Sequence, residues 1–441
     1  MNRHQSKGFL KIYNIILFSF CTVFFPRLLD TLGAPSIINF VHFITVPLTL
    51  IVALTTTKNS LLKQIAISNQ LLFGMFALFT TMSISAFVNE AGFINLLVDY
   101  LLLAEPYIFL LVIVYMQMSV EKLKACKQFL FTCASINLVL ALIQKVLIDA
   151  GLLYANGFDG TDGAQGVFFV SGAGNYVSTT VSIMFALYYF KDKLAPMWLK
   201  TIWLIAAVTQ LIVSDSKQIM ITCAVAFVIL AIISAKNINK TIVYVTFTVI
   251  GLLIFIWCVE NLEAFAAFQN GMDKFEEWGP GGAGREIKTA PFRIATSYYT
   301  SPLNWLFGLG PGHTFGRMGG WFMRDYANLF TPLYGTTHPA SADAWDALWN
   351  NWIAVESTLY SPFFGWAGIW GDLGLVGLGI YLYLASIVWR KLCLDDLPKF
   401  FMLMVFVVGL IFTQMEEPGF MLFVALLIGL QWQEKNLLSR I

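Results

Sequence analysis

Charge is what this chain has least of. Only 12% of its 441 residues are Asp, Glu, Lys or Arg, where a soluble protein carries about 25%. That shortage, with 58% hydrophobic residues and a mean hydropathy of +0.72, excludes an ordinary soluble domain. The net charge is +1, so no basic excess argues for nucleic acid as a partner. Cysteines number six. None forms a CxxC pair and none falls in residues 260–365, which excludes a disulfide framework and a thiolate zinc site. The N-terminal apolar run lacks small residues at a cleavage position, ending Phe24-Phe25-Pro26, and Phe20 before Cys21 spoils a lipoprotein signal. This run therefore reads as a first span that stays in the protein. Neither an internal repeat nor a low-complexity tract is present.

What is there in quantity is apolar runs as long as a bilayer is thick. They predict an all-α integral membrane protein with about twelve transmembrane helices, at 9–26, 36–55, 65–88, 94–118, 127–150, 172–190, 197–213, 218–235, 241–259, 366–389, 400–415 and 418–433. The expected division is a bundle over 1–259, one large loop with short helices over 260–365, and a closing bundle over 366–441. Lysine and arginine orient it. With both termini cytoplasmic, eighteen of the twenty-seven fall on the inner side, and only Arg27, Lys145 and Lys217 lie by short outer turns. The large loop then faces outward, as do residues 151–172, the turn Ser214–Lys217 and the turn Glu416–Gly419.

The loop concentrates the chemistry. It holds His313 and His338, six of the thirteen tryptophans, and Arg285, Arg293, Arg317 and Arg324. Arg285, Lys288 and Arg293 put three positive charges in nine residues after the flexible stretch Gly279–Gly284. Guanidinium forks of this kind suit a diphosphate, the alternative being a solvated charged segment. Their eight-residue spacing leaves the two arginines about 80° apart on a helix. Lys217 opens a span at the membrane boundary, where it can meet a lipid phosphate or simply snorkel. Gly308-Leu309-Gly310-Pro311-Gly312-His313 allows a ligand close to the backbone, which makes Gly310 and His313 candidate glycan contacts. His338 and Glu356 are candidate general bases for an acceptor hydroxyl, with loop hydrogen bonding as the ordinary alternative. Trp345, Trp349 and Trp352, spaced by four and three, are expected on one face of a short helix. Such a face suits either sugar rings or the membrane interface. Asp159 with Asp162, and Asp343 with Asp346, do not match a calcium loop, so no metal is expected.

In order and layout these patches resemble the bacterial O-antigen polymerase and O-antigen ligase superfamily, membrane glycosyltransferases of the GT-C type. The resemblance covers most of the chain and is specific in three places. Ser216-Lys217 is similar to a Ser-Arg pair at an outer turn. Gly284-Arg285, then Pro302 through Gly308-Leu309-Gly310, is similar to the family's loop opening. Asp372-Leu373-Gly374-Leu375-Val376-Gly377 is similar to its closing acid-x-Gly-x-x-Gly. Two departures are visible. Lysine at 217 would hold phosphate as a point charge, and Ser361-Pro362-Phe363 stands where the ligase branch has His-Asn, which favours a polymerase. The resemblance implies transfer of glycan repeats from an undecaprenyl-pyrophosphate carrier to an acceptor sugar on the outer face of the bacterial inner membrane. Lys217, Arg285 and Arg293 would hold the pyrophosphate. No metal or other cofactor is implied; the expected partners are the lipid bilayer, a chain-length regulator and a flippase. A ligase feeding lipid A core or protein is the first alternative and a polytopic transporter or flippase the second.

Overall fold

The structure is a computed structural model that describes residues 12–56, 61–116, 118–153, 163–169, 173–192, 195–234 and 277–438, with scattered positions between 242 and 261. Among these residues every regular element is helical. The helices are α1 (Ile12–Phe24), α2 (Pro26–Thr31), α3 (His42–Thr56), α4 (Leu62–Val88), α5 (Phe93–Tyr115), α6 (Val120–Asp149), α7 (Gly174–Phe190), α8 (Met197–Val213) and α9 (Lys217–Ile233). Then follow α10 (Ala283–Ser297), α11 (Pro302–Phe307), α12 (Pro339–Trp349), α13 (Trp352–Glu356), α14 (Gly365–Ile387), α15 (Asp396–Val408) and α16 (Pro418–Leu438). Single turns fill residues 318–333.

Five helical stretches among the described residues are long and apolar enough to cross a membrane: Ser36–Thr56, Leu62–Val88, Phe93–Tyr115, Val120–Asp149 and Thr358–Leu392. The chain is thus a membrane protein by its helices. The other expected spans come out differently. The apolar helices Ile12–Phe24, Met197–Val213 and Lys217–Ile233 are shorter. Seventeen residues make a helix of about 25 Å, short of the roughly 30 Å of a bilayer core. The run expected over 400–415 leaves the helix after Val408, and Gln414–Glu416 forms a separate turn. The run expected over 241–259, the aspartates 159 and 162, and several of the counted inner-side lysines lie outside the described residues.

By its contacts the chain divides into two compact units. The first comprises Met1–Leu72, Ala104–Ala207 and Pro418–Ile441. Its core is aromatic: Phe20 and Phe24 stack at 5.1 Å, and Phe423 lies 6.1 Å from Phe24. Some polar side chains inside it are paired, whereas Gln64, Ser68 and Gln431 keep buried side-chain atoms with no hydrogen-bond partner among the described residues. His42 Nδ1 lies 2.8 Å from Glu105 Oε2, and Asn137 Nδ2 donates to Ser178 O at 3.0 Å.

The second unit comprises Phe73–Leu103 and Val208–Glu417. Residues 277–365 therefore do not form a body of their own but group with helices on both sides of them in sequence. Ile287, Ala290, Phe315, Ala344, Phe363 and Ala367 are among the residues of its core. α10 packs on α12, α13 and α14, and α9 packs on α15. At the start of α14, Gly365 N–H donates to Phe412 O and Trp366 N–H to Gly409 O. Two amides that a helix start leaves unpaired are thus satisfied by the end of α15.

α14 is not one continuous rod. Gly374 interrupts it at φ 65°, ψ −161°, a region open essentially to glycine. Opposite it, Ser301 caps α11 in a reciprocal arrangement with Asn304, and Gly308 ends that helix at φ 71°. The two glycines mark one close crossing: a Cβ on Gly308 would stand 2.4 Å from Asp372 C, and one on Gly374 would stand 2.5 Å from Leu306 C. Ser85 Oγ lies against the same crossing, 2.8 Å from Asp372 O. Gly374→Ala is expected to destabilise the protein by at least ~1–3 kcal/mol from the backbone conformation alone. Gly379→Ala, where a Cβ meets nothing within 4 Å, serves as the control. Thermal unfolding in detergent checks this, and equal melting of the two variants would remove the crossing from any account of the fold.

Candidate functional site

The glycine-rich stretch offered by the sequence as a ligand cradle holds a side chain of the protein itself. Asp372, on α14 and 2% exposed, accepts from Gly312 N–H at 3.0 Å, His313 N–H at 3.2 Å and Thr314 N–H at 2.7 Å. Consecutive backbone amides aimed at one oxyanion form a nest. Its backbone is anchored as well: Leu309 N–H donates to Gly371 O and Gly310 N–H to Asp372 O. Gly310 has φ 107°, and a Cβ there would stand 2.7 Å from His313 Nδ1. The glycine at 310 thus makes room for the protein's own histidine, and the expected glycan contact is corrected accordingly.

His313 is corrected with it. It is 3% exposed, and burial pushes its pKa down to about 4, so the ring is neutral. Nδ1 faces Leu309 O at 2.8 Å and Nε2 faces Thr336 Oγ1 at 2.7 Å. A carbonyl only accepts, so Nδ1 carries the proton and Nε2 accepts from the threonine. Thr336 is held in turn, its Oγ1 accepting from Gly92 N–H and its backbone pairing with the side chain of Asn95. With both nitrogens engaged, His313 is a brace.

Three further buried ionisable groups lie in the same unit, and sequence reasoning left them outside the site. Glu416 accepts the Arg317 backbone N–H, while the Arg317 guanidinium pairs with Glu417 and sits 5.1 Å over the Phe322 ring. Burial, with Asp372 nearby, lifts the Glu416 pKa to about 8. Asp99 on α5 is 2% exposed, and its Oδ2 has no hydrogen-bond partner among the described residues. Among those residues no group of three or more His, Cys, Asp or Glu is placed to hold a metal ion.

The cations form a separate set. α10 carries Arg285, Lys288 and Arg293, with Arg285 and Arg293 exposed. Arg293 folds back along its own helix, donating to Thr289 Oγ1 at 2.7 Å and Glu286 O at 3.0 Å. Lys288 turns inward, donating to Ser361 O at 2.9 Å and Ile411 O at 3.2 Å, with its ammonium 4.5 Å over the Phe364 ring. Burial brings its pKa down to about 7. Lys217 is the first residue of α9, 2.5 Å from Asp215 Oδ1. The adjacent Gln218 reaches Thr358 Oγ1 at 3.5 Å. Gly284 lies against the Tyr360 ring, which a Cβ at that position would meet at 2.6 Å. Residues 358–361 are thus where the first turn of α9 and the first turns of α10 meet. Lys288 bonds to this segment directly, Lys217 and Arg285 are each next in sequence to a residue that touches it, and Arg293 lies along its own helix.

His338 and Glu356 are less suited to the role expected of them. His338 caps α12, its Nδ1 accepting from Ala340 N–H at 3.1 Å, and burial lowers its pKa. In the neutral ring Nε2 then carries the proton, which makes His338 a donor rather than a base. Glu356 is the exposed last residue of α13. The three-tryptophan face is also corrected. α12 ends at Trp349, Asn351 caps α13 with its side chain, and Trp352 opens that second helix. Trp345 and Trp349 stack at 5.8 Å with an interplanar angle of 22°. No protein-family model matches the chain, and no curated protein matches it.

Lys288 gives a pH signature with a defined sign. Between about 7 and 10.5 the unfolded chain keeps a proton that the folded chain has released. Stability therefore rises with pH across that window. Lys288→Met is expected to abolish this rise, read as the melting temperature of the detergent-solubilised protein from pH 7 to 10; an unchanged slope would show that burial does not depress this lysine. Glu416 works in the opposite sense, its stabilising contribution present below about 4.5 and lost as pH rises through about 8. Glu416→Gln is expected to flatten the pH dependence in that lower window.

Proposed function

We propose that this chain is a membrane polysaccharide polymerase that transfers glycan repeat units from an undecaprenyl-pyrophosphate carrier onto an acceptor sugar. The observation that carries this reading is that Lys288 bonds to Ser361 O while the neighbours of Lys217 and Arg285 in sequence, Gln218 and Gly284, touch residues 358–360, in a chain with helices long and apolar enough to cross a membrane. Lys217 opens α9, where the positive end of the helix dipole also favours an anion. Arg285 is exposed, with a fork fit for phosphate oxygens.

In the proposed reaction an acceptor hydroxyl oxygen attacks the anomeric carbon of the carrier-linked repeat. The bond from that carbon to the pyrophosphate oxygen breaks, and the lipid pyrophosphate leaves with the electron pair. The hydroxyl proton passes to a base, for which the exposed carboxylate of Glu356 is better suited than His338. Pyrophosphate is a good leaving group, so the main demand is stabilisation of its growing charge. Lys217 and Arg285 supply that, and the neutral-to-cationic balance of Lys288 adjusts it. In this reading the fold is GT-C-like with about twelve spans, the termini are cytoplasmic, and the large loop faces outward. The flippase that delivers the carrier and a chain-length regulator are its partners. Ligation to lipid A core or protein is the nearest variant. A transporter draws support from the ionisable side chains Asp99 and Glu105 buried in α5.

Purified protein with lipid-linked repeats tests this. Lys217→Ala and Arg285→Ala are expected to lower polymer output by roughly a hundredfold or more, with membrane insertion unchanged. Arg293→Ala, whose guanidinium is bound to its own helix, is expected to cost far less. Full output from both Lys217→Ala and Arg285→Ala would overturn the pyrophosphate clamp. A single transfer to a different acceptor would indicate a ligase.

A further inference from the structure

A second cationic position has a different construction. Arg324 is half exposed, and its guanidinium carbon sits 3.9 Å from the centroid of the Trp345 ring and 5.4 Å from that of Trp321. Trp345 is itself fixed. Its indole N–H donates to Gly320 O at 3.0 Å, Trp321 meets it edge-on at 4.8 Å, and Phe363 lies 4.8 Å away. Trp349 stacks beside it and is 63% exposed. Asp325 takes the Nε edge of the guanidinium at 2.9 Å, and neither Nη has a hydrogen-bond partner among the described residues.

We propose that Arg324, Trp345 and Trp349 form a recognition platform for an acidic sugar, one carrying a carboxylate, within the glycan this protein handles. The inference rests on the glycan-transfer reading and names the substrate class. The exposed indole of Trp349 offers a flat apolar face for the C–H face of a pyranose ring. The Nη edge of Arg324 offers two parallel N–H groups in the plane that a carboxylate accepts side-on. Stacking on Trp345 holds that fork in place before the ligand arrives, so little side-chain entropy is lost on binding. The charges around it favour a single carboxylate over a membrane surface. Asp343 and Asp346 project from the same helix as Trp345, and Asp325 adjoins the arginine. A layer of anionic head groups would meet all three carboxylates, whereas one sugar carboxylate meets only the fork.

The test uses the full-length protein in uncharged detergent. Calorimetric titration compares a glucuronate-containing tetrasaccharide with the same tetrasaccharide after reduction of its carboxylates to alcohols. The acidic form is expected to bind about tenfold more tightly, the worth of one charge-assisted pair. Arg324→Ala and Arg324→Lys are each expected to erase that preference and leave the reduced form unaffected. Trp349→Ala is expected to weaken both sugars. Equal affinity for the two sugars in the wild type would overturn the proposal, as would a preference that survives in Arg324→Ala. Displacement of the sugar by anionic lipid vesicles, with no acidic-sugar preference, would make the patch an interfacial anchor instead. Binding is read without any carrier lipid, so its failure and the failure of polymer synthesis are separate results.

Discussion

Three backbone amides, those of Gly312, His313 and Thr314, converge on the carboxyl of Asp372, and much of the second unit is arranged around that contact. A buried carboxyl is costly unless several donors meet it. The chain supplies them from a stretch rich in glycine, because only such a stretch can turn its amides inward and lie against another backbone. The contact requires α14 to break at Gly374 and α11 to end at Gly308, so the two backbones can cross with no Cβ between them. It also sets His313 against Leu309 and Thr336, and through Thr336 it reaches the turn before α5. One polar contact thus positions the end of one helix, the kink of another and the path of the loop between them.

The same unit treats its positive charges in two ways. Lys288 and Arg317 are drawn inward, one onto carbonyls and a phenylalanine ring, the other onto Glu417 and the Phe322 ring. These basic groups have partners built in, and they fasten segments together. Arg285, Lys217 and Arg324 keep more of their surface outward. Lys217 and Arg324 each share one acidic neighbour close in sequence, and such exposed pairs contribute only about 0–1 kcal/mol. An anionic ligand can replace or join such a neighbour at little cost. Exposure alone does not separate the two kinds, since Arg293 is exposed and still bonded along its own helix.

Several elements were legible in the residues themselves. The membrane class follows from composition, because polar backbone in hydrocarbon demands long apolar helices. The basic cluster on α10 was visible as charge spacing. Other features were not legible. The closing motif at Asp372 and the glycine stretch at 308–312 lie about sixty residues apart, and spacing gives no sign that one embraces the other. The tryptophan periodicity suggested one helix, but Asn351 prefers to cap, and its side-chain bonds start a second helix inside the pattern.

What the sequence determined by itself was the solvent this protein lives in and the concentration of aromatic and basic chemistry in one segment. Those depend on composition and local spacing, which act over a few residues. The tertiary structure decided which of those residues face outward. His313 and Gly310 became internal support, Arg293 folded onto its own helix, and Asp372, Arg317 and Glu416 emerged as the framework. The reason is that burial and hydrogen-bond satisfaction are settled by partners distant in the chain, and an isolated residue type carries no record of who those partners are.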